Sequence, residues 1–127
     1  MDDLVTKIAV IESRLCAVTS IAERDRKDVL LLAVSKTRSA ESIRQVAETG
    51  IKSFGENYLQ EALAKIASLQ SLDLDWHFIG PIQSNKTRQI SENFAWVHSV
   101  DRVKIAKRLS DQRPLAMGPL NICMQIN

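Results

Sequence analysis

Apolar residues recur along the N-terminal stretch at steps of three and four: Leu4, Ile8, Ile11, Leu15 and Val18 fall on one face of a long amphipathic helix. Beyond it the pattern changes. Short apolar runs at 29–35 (VLLLAVS), 51–55 (IKSFG), 75–80 (DWHFIG), 95–100 (AWVHSV) and 120–127 (LNICMQIN) predict five strands. The segments between them, 39–50, 57–70, 84–93 and 101–111, are polar with apolar residues at helical spacing. Ser39, Asn57, Ser84 and Asp101 stand where helix caps belong. Gly50 closes the first of these helices as a C-cap. Strands alternating with helices imply a parallel sheet with right-handed crossovers, either doubly wound or a barrel. Both place functional groups at the C-terminal ends of the strands. Those ends read Ser35-Lys36-Thr37, Gly55-Glu56-Asn57, Gly80-Pro81 and His98-Ser99, which favours a ligand at one rim.

Composition narrows the classes. The 127 residues suffice for a single domain, 1–127, and the 45% apolar content is that of a soluble globular protein. Lysine and arginine number 17 against 15 acids and are scattered, so no nucleic-acid footprint is expected. The N-terminus carries acids early and Lys7 and Glu12 soon after, which fits neither a signal peptide nor a membrane span, and a cytoplasmic protein is expected. Cys16 and Cys123 are expected to be buried free thiols rather than a disulfide or metal site.

Each rim residue also has an ordinary reading. A lysine after a strand is usually solvated, and "SKT" lacks the glycines of a phosphate-binding loop. Asn57 could cap a helix and Gly55 permit a turn. His77, between Trp76 and Phe78, reads as a hydrogen-bonded core histidine, and His98 has less context. No cluster of His, Cys or acids stands at metal-ligand spacing.

Three stretches in order, LLAVSKT, FGENYLQEALAK and WHFIGPIQSNKTRQI, resemble the signatures of the YggS/PROSC family, the pyridoxal phosphate-binding homeostasis proteins. The resemblance covers essentially the whole chain. It implies a barrel similar to the N-terminal domain of alanine racemase, with pyridoxal 5'-phosphate held as a Schiff base on a lysine after the first strand. By residue match that lysine is Lys36. The same resemblance puts Asn57 beside the cofactor ring as a hydrogen-bonding group and Val34, Ile79 and Gly80 at its walls; His77 and Lys86 lie in the matching stretch without an assigned role. The chemistry agrees. A Schiff base needs a neutral amine, a free lysine has a pKa of about 10.4, and desolvation in a barrel mouth would favour the neutral form. Lys36 shares its strand face with Leu32 and Val34.

A complete barrel of this kind has about 250 residues and eight strands, and it commonly grips phosphate with the loops after strands seven and eight. The expected fold is therefore a partial TIM (β/α) barrel: five parallel strands alternating with helices, after a long N-terminal helix, with the phosphate segments outside this sequence. The function implied is that of a carrier in intracellular cofactor homeostasis, with no catalytic residue and no turnover. The alternatives are a pyridoxal phosphate-dependent amino-acid racemase or decarboxylase, for which no second catalytic group is evident, or a fragment with no ligand site. Unpaired sheet edges predict a homo-oligomer.

Overall fold

Each predicted run becomes a strand and each amphipathic stretch a helix. The computed structural model describes residues 3–127. The elements are α1 (Asp3–Ile21), β1 (Ala33–Val34), α2 (Ala40–Glu48), β2 (Ser53–Glu56), α3 (Leu59–Ser68), β3 (Asp75–Phe78), α4 (Thr87–Asn93), β4 (Trp96–Val100), α5 (Val103–Gln112) and β5 (Asn121–Met124). The strands are all parallel and stand in the order β1-β2-β3-β4-β5. This is a partial TIM barrel preceded by a helix.

The register sorts the side chains. Ala33 lies opposite Phe54, Phe54 opposite Trp76, and Phe78 opposite Val97, so these residues share one face. Against that face pack Ile43 of α2, Ala62 of α3 with Leu69 just beyond it, Ile90 of α4 with Phe94 after it, and Ile105 and Leu109 of α5. Phe78 and Phe94 meet edge to face with centroids 5.4 Å apart. Burial of each such large side chain contributes roughly 1.5–3 kcal/mol, so this layer dominates the stability. Val34, Gly55, His77 and Trp96 point the other way, to the face that forms a barrel's interior. There Val34 remains 52% exposed. At Gly55 the packing is close: a Cβ would come within 3.2 Å of Ile79 Cδ1 and 3.4 Å of Leu32 Cδ2, so these side-chain ends would have to give by a few tenths of an ångström.

Several local expectations change. Ser39 caps α2, its hydroxyl accepting from Ser42 N at 3.1 Å, and Gly50 follows the helix with φ +105° as predicted. Asn57, Ser84 and Asp101 cap nothing, because α3, α4 and α5 start one or more residues later. β1 is two residues long instead of seven: β2 begins at Ser53, so the residues before Leu32 have no strand to pair with. Both cysteines are exposed, not buried. The stripe on α1 is only partly covered, with Leu4, Ile8 and Leu15 half-buried but Ile11 and Val18 exposed, and Cys16 lies outside it. Cys123 is on β5, all of whose residues are exposed. Among the described residues, no helix is long and apolar enough to cross a membrane, and no three His, Cys, Asp or Glu side chains form a group that could hold a metal.

Candidate functional site

The C-terminal ends of β1, β2 and β3 are drawn level by backbone hydrogen bonds, Ser35 N donating to Gly55 O at 2.9 Å and Ile79 N to Glu56 O at 2.9 Å. Lys36 follows β1 at this rim. Its side chain is exposed and, among the described residues, makes no hydrogen bond or ion pair. The enclosure expected for Lys36 is therefore not supplied here: of its two face-mates, Val34 is exposed and Leu32 half-buried. Asn57 and Gly80 lie together on the neighbouring strand ends. A Cβ at Gly80 would stand 2.6 Å from Asn57 Cβ and 2.9 Å from Asn57 O, so only glycine admits this approach. Asn57 Oδ1 is buried without a partner among the described residues. Ile79 is half-buried against Gly55. Lys86 lines a depression together with Asn57, Tyr58, Glu61, Phe78 and Pro81.

Beneath Lys36 lies an ionic cluster that sequence reasoning missed. Lys65 on α3 is buried, and its Nζ donates to Ser35 O at 2.8 Å, Glu56 Oε2 at 2.9 Å and Glu61 Oε1 at 2.7 Å. All three of its N–H donors are thereby used. Glu56 is wholly buried at the end of β2, and its Oε2 also accepts from Ser35 Oγ at 2.5 Å. Glu61 Oε1 accepts from Thr37 N at 2.6 Å. The Lys65 ammonium, and then the Thr37 N–H, hold the Glu61 carboxyl below its ordinary range. The one sequence signal for this cluster is the Glu61–Lys65 spacing of four, normally a solvated helix pair.

On the inner face His77 and His98 meet, Nδ1 to Nε2 at 2.9 Å, with His77 stacked on Trp96 at 5.7 Å. The expected hydrogen-bonded core histidine is thus found, although its Nε2 has no partner among the described residues. Burial, then the neighbouring His98, pushes the His77 pKa down to about 4, and burial lowers that of His98.

No protein-family model matches the chain. It is 56% identical over 127 residues to the pyridoxal phosphate homeostasis protein of Pseudomonas aeruginosa, an alignment covering 100% of this chain and 55% of that protein. With the protein of the same name from Escherichia coli K12 it shares 45% identity over 130 aligned positions, covering 100% of this chain and 56% of the relative. Among solved structures it is similar to PipY of Synechococcus elongatus with PLP bound, at 42% identity and a TM-score of 0.65, covering 80% of this chain and 47% of that one. For PipY without PLP the values are 40% identity, a TM-score of 0.73, and 89% and 53% coverage. The chain spans about half the length of the curated relatives it matches. With this identity along its whole length and a similar fold, the chain matches about half the length of the pyridoxal phosphate homeostasis proteins.

Proposed function

We propose that this chain carries pyridoxal 5'-phosphate as a Schiff base on Lys36, for cofactor homeostasis rather than turnover. One observation carries the reading: an exposed lysine amine, without a polar partner among the described residues, on a strand end that neighbouring strands hold level, in a chain 42% identical over 80% of its length to a protein whose structure has PLP bound. Lys36 would hold the cofactor through Nζ, which once deprotonated would condense with the aldehyde with loss of one water, needing no oxidant or reductant. The linked cofactor supplies a conjugated electron sink. The residues fit its aldehyde and ring end. The buried Asn57 Oδ1, without a partner among the described residues, would be an acceptor for a ring substituent, with Gly80 against it and Ile79 next in the chain; exposed Val34 would be a wall on the β1 side. As the N-terminal portion of a barrel, the chain would leave the phosphate grip to later strands. The relatives' names support holding over catalysis.

Borohydride reduction of cofactor-loaded protein followed by peptide mapping tests this directly. A pyridoxyl label on Lys36, lost in Lys36→Ala with the fold retained, is expected. A label on Lys65 or Lys86 instead would refute it.

A further inference from the structure

We infer that the cluster of buried Glu56 and Lys65 with half-buried Glu61 is a clamp that positions Lys36, by locking the peptide groups on both sides of it. The inference rests on the proposed role of Lys36. Ser35, Lys36, Thr37 and Arg38 form a tight turn in which Arg38 N donates to Ser35 O at 3.0 Å. Thr37 sits at its third position with φ +63°, a left-handed conformation that a β-branched residue strongly disfavours. Glycine would occupy it without strain. Such strain persists only where surrounding structure over-determines it.

The surroundings do so here. Before Lys36, the Ser35 carbonyl takes the Lys65 ammonium at 2.8 Å and the Ser35 hydroxyl is held by Glu56 at 2.5 Å. After it, the Thr37 N–H is held by Glu61 at 2.6 Å. These contacts involve charged partners and are the stronger kind of hydrogen bond. Lys65 joins the two sides by contacting both carboxylates. The side chain left free at the centre is Lys36. A clamp of this design spends buried charge on the backbone around the amine and none on the amine itself, which stays available for a carbonyl compound.

The test uses the full 127-residue chain. Glu61 is a half-buried helix residue, so Glu61→Ala should fold; Lys65→Met, which strands the buried Glu56 carboxylate, is a less safe choice. In Glu61→Ala the Thr37 amide should exchange with solvent about tenfold faster. Pyridoxal phosphate loading of Lys36, read by borohydride trapping, should need about tenfold more cofactor, because only the fraction of molecules with the turn in place reacts. Glu61→Gln keeps an acceptor for the Thr37 N–H and should restore both readouts. Thr37→Gly in the Glu61→Ala background removes the strain and should restore loading without restoring amide protection, which a merely structural role for Glu61 would not produce. Unchanged Thr37 exchange in Glu61→Ala overturns the clamp; faster exchange with unchanged loading overturns its positioning role. If the native chain loads a lysine other than Lys36, the functional reading falls and the positioning role with it, an outcome distinguishable because the exchange experiment needs no cofactor.

Discussion

Acidification from about pH 7 to about pH 4.5 should weaken the fold through His77, before the acids contribute much. The sign follows from its burial. The folded protein holds the His77 pKa at about 4 against an ordinary 6.5, so between these values the unfolded chain binds the extra proton and the folded one does not. The stabilising effect is complete above the unfolded value and fades as pH falls toward the folded one. In full, that difference corresponds to ~3 kcal/mol at 1.36 kcal/mol per pKa unit. His77 itself is 2% exposed but is paired with the half-buried His98, and discounting for solvent on that side leaves about 1–2 kcal/mol. His98 acts with the same sign, since burial lowers its pKa as well. Its Nε2 can donate one proton toward His77 Nδ1, but two protons would set donor against donor across 2.9 Å. Glu12 and Glu61, whose pKa values are held below the ordinary 4.5, lose their contribution only at lower pH. Urea unfolding at fixed protein concentration, followed by Trp fluorescence across this range, measures the slope. His77→Phe keeps a ring against Trp96 and removes the titration, so its stability should fall by about 1–2 kcal/mol less than the parent's over the same interval. Parallel loss in parent and variant would show that the histidine pair does not govern this window.

Two further outcomes test the packing. Gly80→Ala forces a methyl to within 2.6 Å of Asn57 Cβ and should cost about 1–3 kcal/mol, seen as a lowered midpoint in thermal unfolding; an unchanged midpoint would mean that the strand ends separate freely. The 127-residue chain, with Met124 74% and Ile126 82% exposed beside an unpaired β5 edge, should self-associate. Sedimentation over a concentration series should show this, and Met124→Lys with Ile126→Lys should reduce it. A parent chain that stays monomeric throughout contradicts the argument.

The periodicities that run over several residues were legible in the sequence. Steps of three and four located all five helices, and the five apolar runs located all five strands in a parallel sheet. Features set by a partner were not. The length of β1 is fixed by where β2 begins, and the exposure of Cys16 and Cys123 by which faces find cover; neither partner is visible from the residue itself. Asn57 is a favourable cap residue by type, yet α3 starts at Leu59 and leaves the Asn57 side chain to the rim. At the site, the position of Lys36 after β1 followed from the strand pattern, and only the family resemblance implies a role for it. Nothing in the helical pattern of 57–70 singled out Lys65. Its burial arises because Glu56, nine residues earlier, ends β2 on the helix-facing side beneath α3, a coincidence of two elements that no single periodicity encodes.

The strand order has a consequence for how the fold is acquired. Because every strand pairs with its immediate predecessor, the paired residues, such as Val34 with Gly55 or Phe78 with Val97, are separated by only about twenty residues along the chain. Loops of that size close at modest entropic cost. Each strand-helix unit therefore has a docking surface ready when it emerges during synthesis, and the sheet can grow by accretion from its first strand. The groups that hold the Lys36 turn all lie between Ser35 and Lys65. They are in place once α3 has docked, so the lysine turn is assembled before β3, β4 or β5 need exist.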